Sequence, residues 1–139
     1  MNTRFLLDTN ILSEPLCPKP HPKVMARWRE HHDEAATAPV VWHELWYGCR
    51  RLPESAKRRA IEGYLTQVVG PSLPILAFDE RAAEWHAVER ARLIKAGKTP
   101  SYADGQIAAI AATQDLILVT FNTADYAPFQ GLKIEDWRR

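Results

Sequence analysis

The sequence predicts an α/β fold, a mostly parallel sheet of about five strands with helices packed on both faces. Three observations carry that prediction. Short apolar runs fall at 4–7, 74–78 and 116–120, and a weaker pattern closes the chain at 132–137; runs of this kind read as buried strands. Between them lie longer stretches with apolar residues at helical spacing, and strands that alternate with helices form parallel sheets covered on both sides. Acidic and small polar residues also stand directly after the two clearest runs, at Asp8 and at Asn122 and Asp125. Open α/β sheets bind their ligands there, beyond the carboxyl ends of the strands.

Taken in order, "RFLL" at 4–7 is the first strand and ends on Asp8. Ile11 and Leu12 resume the apolar pattern, so a short helix follows until Pro15 and "CPKPHP" stop it. "PKVMARWREHH" reads as a helix with Pro22 at its first position, where the missing N–H has no partner to lose. "EAATA" is a poor strand by propensity, but its place before the next helix makes it the second strand. Pro39 opens "PVVWHELWYGCRRL", a helix with Val41, Leu45 and Gly48 on one side. "ESAKRRAIEGYLTQVV" repeats apolar residues with the helical period. "PILAF" is the third strand. "DERAAEWHAVERARLIKAG" is a long charged helix stopped by Gly97, and "SYADGQIAAIAATQD" is an alanine-rich one. "LILVT" is the clearest strand, and "LKIEDW" supplies the last. No repeat, low-complexity tract or linker interrupts the 139 residues, so a single domain, 1–139, is expected.

A net charge of +1 gives no chain-wide basic signal, so any nucleic-acid contact has to use a local patch. Cys17 and Cys49 make no disulfide framework, and neither has a neighbouring Cys or His at zinc-finger spacing. Free thiols, no apolar run approaching about 18 residues and a strand at the N-terminus together predict a cytoplasmic protein without a membrane span. Trp42 and Trp46 lie one helical turn apart, which fits core or subunit interface better than a base-stacking platform.

Four acids stand at telling positions: Asp8 after the first strand, Glu44 early in the helix after the second, Asp104 in the first turn of the alanine-rich helix, and Asp125 in "TFNTADY". Each has a structural alternative. Asp8 fits an N-cap. Ser101 and Asp104 match a capping box. Asp125 fits a turn. Glu44, between Trp42 and Leu45, is costly to bury without a partner. The topology brings all four towards one edge of the sheet. Converging carboxylates repel one another unless a cation neutralises them, and oxygen ligands alone suit a hard divalent ion, Mg²⁺ or Mn²⁺. The adjacent pair His31-His32 offers no competing set, since neighbours on a helix do not face each other.

"LLDTNILSE", "HELWYG", "PSYADGQIAAIAA" and "LVTFNTADYAPFQGLKIEDW" resemble the PIN-domain family, and within it the VapC-type toxins of bacterial toxin–antitoxin pairs. The resemblance runs from Arg4 to Trp137. It implies that Asp8, Glu44, Asp104 and Asp125 are the metal-site acids, accompanied by the small polar residues Thr9, Asn10, Thr120 and Asn122. It further implies Mg²⁺-dependent endoribonuclease activity restrained by a cognate VapB-type antitoxin. One departure concerns the fourth motif: Phe121 stands where relatives often carry Arg, which bears on substrate contacts rather than on the metal site.

The chemistry so implied is phosphodiester hydrolysis, with a metal that polarises a phosphoryl oxygen and acidifies a water, and with one carboxylate as general base. Arg50, Arg51, Lys57, Arg58 and Arg59 flank the second-motif helix and are the candidates for gripping RNA; the alternative is a solvated helix face. A haloacid-dehalogenase-like phosphatase needs a second Asp two residues after the first, and Asn10 occupies that position. A structure-specific DNA nuclease and a non-catalytic PIN-like binding module are the remaining rivals. The apolar and aromatic stretch "VVWHELWYG" points to a homodimer.

Overall fold

The computed structural model describes residues 2–139. Its centre is a four-stranded, wholly parallel sheet in the order β2-β1-β3-β4. Strand β1 is Phe5–Leu7, β2 is Ala35–Ala36, β3 is Ile117–Val119 and β4 is Lys133–Glu135. In register, Phe5, Leu6 and Leu7 face Ile117, Leu118 and Val119. Successive strand residues point to opposite faces, yet all three of β1 are buried. Both faces of the sheet are therefore covered, as a central parallel strand requires.

Helices account for most of the rest. After β1 come α1, Thr9–Ser13, and α2, Pro22–His31. After β2 come α3, Pro39–Arg50, α4, Ala56–Tyr64, and a short α5, Gly70–Ser72. Then α6, Glu80–Lys95, and α7, Tyr102–Thr113, precede β3, and α8, Thr123–Tyr126, separates β3 from β4. The expected helix over 54–69 changes character at its end, where Leu65–Val69 widens into a π-helix. There Gly70 N–H donates to the Leu65 carbonyl, and Pro71 next in line has no N–H to offer.

The expected third strand, "PILAF", is a correction. Only Ile75 pairs, in a single parallel bridge with Thr37. Thr37 N–H donates to the Pro74 carbonyl and Leu76 N–H to the Thr37 carbonyl, and the ladder stops there. Pro74 has no N–H with which to extend it, and Asp79 at once caps α6 by accepting from Ala82 N–H. Its neighbour β2 is itself only two residues long.

Helix α7 is the buried helix of the fold, with Gly105 and five apolar residues from Ile107 to Ala111 out of solvent. It packs so closely on α6 that a Cβ at Gly105 would lie 2.0 Å from His86 Nε2. This close approach holds the first turn of α7, and with it Asp104, against α6.

Candidate functional site

Asp8 is the centre of the site. It leaves β1 as its N–H donates to the Val119 carbonyl of the neighbouring strand. Its side chain caps α1, with Oδ1 accepting from Thr9 N–H at 2.8 Å. Oδ2 accepts from the Thr120 hydroxyl at 2.8 Å and lies 3.4 Å from the Tyr126 hydroxyl. The cap and the site are thus the same carboxylate. Asp8 is only 5% exposed. Burial, the largest influence, raises its pKa; the bonds from Thr120 and Thr9 work against that, and the charges of Glu44 and Asp104 add to it.

The other acids approach from separate elements. Glu44, on α3, accepts a short hydrogen bond from the Thr9 hydroxyl. Asp104, in the first turn of α7, accepts from the Tyr126 hydroxyl at 3.1 Å. The capping box at this turn is half-formed. Ser101 Oγ accepts from Asp104 N–H at 3.0 Å, while the Asp104 carboxylate turns to Tyr126 instead of back to the helix end. Asp125 differs from these three. It lies exposed on α8, and no side-chain hydrogen bond holds it among the described residues.

The structure therefore links Asp8, Glu44 and Asp104 through shared hydrogen-bond donors and leaves Asp125 exposed. The expected convergence of four carboxylates on one point is looser than the sequence implied. Among the described residues, no three acidic, histidine or cysteine side chains are placed to hold an ion as they stand. Mutual repulsion opposes a tighter cluster of anions. The donor set itself suits a hard divalent cation: only carboxylate and hydroxyl oxygens meet here. None of the four acids forms an ion pair with a Lys, Arg or His among the described residues, although Glu34, Glu62, Glu89, Asp115 and Asp136 all do.

The small polar residues are supports. Thr120 Oγ1 donates to Asp8 and accepts from Asn122 N–H at 3.0 Å. Asn10 Oδ1 accepts from Phe121 N–H at 3.2 Å, which ties α1 to the turn after β3. The Asn122 side chain makes no capping bond and is exposed. Phe121 lies under the Arg138 guanidinium, 4.2 Å from its ring centroid, and Arg138 also donates to the Phe121 carbonyl at 3.3 Å. Tyr126 escaped the sequence reading. Nothing in "TADY" marks a hydroxyl that will lie between two acids, one of them more than a hundred residues away in the chain.

The basic residues divide. Arg58 is a brace: it donates to the Leu52 carbonyl at 3.1 Å and to Glu62 at 3.0 Å, and it pairs with Glu54 at 3.9 Å. Arg50 reaches Glu62 at 3.3 Å and lies over the Trp46 ring. Arg51, Lys57 and Arg59 are exposed, with Arg51 over the Tyr47 ring. Trp42 and Trp46 are half-buried and meet edge to face at 5.8 Å. A cavity of about 250 Å³ opens next to Glu44 and Thr9, walled by Leu16, Leu45, Ile61 and Leu65.

Acidic side chains from three elements thus meet at the carboxyl edge of a four-stranded parallel sheet. The PIN domain profile matches residues 5–127, and the chain belongs to the PIN-domain family. It is 31% identical to the tRNA(fMet)-specific endonuclease VapC of Shigella flexneri, over 96% of this chain and 98% of that one. It is 34% identical to toxin FitB of Neisseria gonorrhoeae, over 88% of this chain and 90% of that one. The crystal structure of FitAcB from Neisseria gonorrhoeae superposes with a TM-score of 0.86 at 31% identity, covering 96% of this chain and 97% of that one. A DNA-bound VapBC from Salmonella typhimurium superposes with a TM-score of 0.82 at 26% identity, covering 97% of this chain and 98% of that one. No described helix is long and apolar enough to cross a membrane.

Proposed function

We propose that this protein is a Mg²⁺-dependent endoribonuclease, the toxin of a type II toxin–antitoxin pair, and that Asp8, Glu44, Asp104 and Asp125 form its metal site. The observation that carries the reading is Asp8: a buried carboxylate with two like charges nearby and no cationic partner among the described residues. Mg²⁺ or Mn²⁺ would supply the missing positive charge and, when bound, polarise a phosphodiester and acidify a water. Thr120 and Thr9 N–H orient Asp8, the Thr9 hydroxyl orients Glu44, and Tyr126 orients Asp104. One of the four carboxylates takes the water's proton as general base. Arg51, at the end of α3, and Lys57 and Arg59, on α4, are exposed and would meet RNA phosphates.

The names of the relatives support RNA as the substrate: VapC of Shigella flexneri is a tRNA-specific endonuclease and VapC2 of Haemophilus influenzae a ribonuclease. The solved VapBC and FitAB assemblies support a VapB-type antitoxin as partner. Such a partner would lay apolar residues in the cavity beside Glu44 and bring an Arg to the acids, since a guanidinium pairs bidentately with carboxylate. Tyr47, exposed on α3 beside the Trp42–Trp46 pair, offers the apolar surface for a homodimer.

The test is cleavage of matched RNA and DNA oligonucleotides by antitoxin-free protein. RNA is expected to be cut with Mg²⁺, to survive in EDTA, and to survive with Asp8→Asn. Cutting of DNA alone would make the protein a DNA nuclease; cutting of neither would leave the non-catalytic binding module.

A further inference from the structure

Two groups in the site touch two acids each. Thr9 joins Asp8 to Glu44 through its N–H and its hydroxyl. Tyr126 joins Asp8 to Asp104 through its hydroxyl alone, at 3.4 and 3.1 Å. The phenol ring is buried, 6.4 Å from the Phe129 ring, and a phenylalanine would fill that space equally well. The oxygen is what packing leaves unaccounted for. A buried hydroxyl is costly unless it is hydrogen-bonded, and here its hydrogen-bond partners are two carboxylates.

A phenol carries one proton and donates to one acceptor at a time. Both distances exceed the usual O–H···O spacing of about 2.7–2.8 Å, so the hydroxyl stands between the acids rather than seated on one. Its place between the two acids is that of a donor which orients them.

We propose that Tyr126 is a positioning residue, whose hydroxyl sets the separation and orientation of Asp8 and Asp104 for a divalent cation. This rests on the metal-site reading above. Donors that orient ligating carboxylates are typically worth about 10- to 100-fold in metal affinity or activity.

The experiment uses Mn²⁺ as probe on the full chain without RNA. Binding is read from the loss of the free-ion paramagnetic resonance signal, and in parallel from the Mn²⁺-induced rise in melting temperature. Four proteins are compared: wild type, Tyr126→Phe, Phe129→Leu and Asp8→Asn. Tyr126→Phe is expected to keep the wild-type circular dichroism spectrum and to need about tenfold more Mn²⁺. Phe129→Leu loosens the same packing without touching the hydroxyl. It is expected to melt lower and to bind Mn²⁺ at the wild-type concentration. Asp8→Asn is expected to lose the response. A Tyr126→Phe midpoint equal to wild type, with Asp8→Asn silent, overturns the role of the tyrosine and leaves the metal site standing. So does a Phe129→Leu midpoint shifted as far as that of Tyr126→Phe, which would make the effect one of packing. Wild-type binding by Asp8→Asn overturns the site itself, and the inference with it.

Discussion

Asp8 and Glu89 are buried to nearly the same extent, 5% and 6% exposed, and the chain treats them in opposite ways. Glu89, on α6, is met by a full set of donors. Arg92 gives it two hydrogen bonds, at 2.9 and 2.8 Å, and Gln130 N–H a third at 2.8 Å. Its pKa is lowered, first by the bond from Arg92. Arg92 also donates to the Pro128 carbonyl, so the pair clasps α6 to the segment that follows α8. Asp8 receives only hydroxyls and one N–H, has two acids for neighbours, and its pKa is raised. The difference separates a carboxylate that holds the fold together from one that the fold keeps available. Burial alone says nothing about role; the sign of the charge that the chain supplies beside it does.

The widest separation between the two should appear in catalysis. Asp8→Asn is expected to lower Mg²⁺-dependent RNA cleavage on the order of a hundredfold or more. Glu89→Gln, assayed with the same RNA well below its melting temperature, should retain cleavage within about threefold, because it removes a brace and not a ligand. Equal losses from both would erase the distinction. Stability should separate them in the other direction. Glu89→Gln is expected to lower the melting temperature by roughly 3–8 °C, the span usual for losing a charged hydrogen-bonding partner in a domain of this size. In EDTA, Asp8→Asn should melt no lower than wild type, since it relieves repulsion while amide oxygen and threonine can still pair.

The pH dependence sharpens the same contrast. The folded chain holds the Asp8 proton to higher pH than the unfolded chain does. The stability linked to Asp8 is therefore complete below the ordinary carboxylate range and is lost as pH rises through its folded value. Glu89 behaves in reverse: its contribution is present above the ordinary carboxylate range and is lost as pH falls through its lowered folded value. Urea unfolding in EDTA across the acidic range should show Asp8→Asn flattening the loss on the rising side and Glu89→Gln the loss on the falling side. The smallest effect is expected at the exposed cations. Single alanine changes at Arg51, Lys57 or Arg59 should weaken RNA binding in the Asp8→Asn background and reduce its salt slope by about 1, whereas Arg58→Ala should act on stability instead.

Much of this was legible in the chain, and the exceptions have physical reasons. Phe5–Leu7 and Ile117–Val119 announce themselves because a strand buried on both faces must be apolar throughout. Asp8 could be placed because it directly follows such a strand. "PILAF" had the same appearance and formed only one bridge, because pairing depends on a partner, and β2 beside it is two alanines long. Arg58, expected to grip RNA, is a brace instead, because Glu62 one helical turn on and the Leu52 carbonyl take up its guanidinium. Tyr126 was not, because its meaning lies in Asp8 and Asp104, which only the folded sheet brings to it. Nor was the exposure of Asp125, since the four-residue α8 buries Tyr126 and leaves Asp125 outside.

The edge around Asp8 calls for a cation that none of the described residues supplies. Calorimetric titration of Mn²⁺ into antitoxin-free protein at neutral pH tests it most directly, run separately on wild type, Asp8→Asn and Glu89→Gln. Saturable binding by wild type, absent from Asp8→Asn and undiminished in Glu89→Gln, is the predicted result. Identical isotherms for wild type and Asp8→Asn would contradict it.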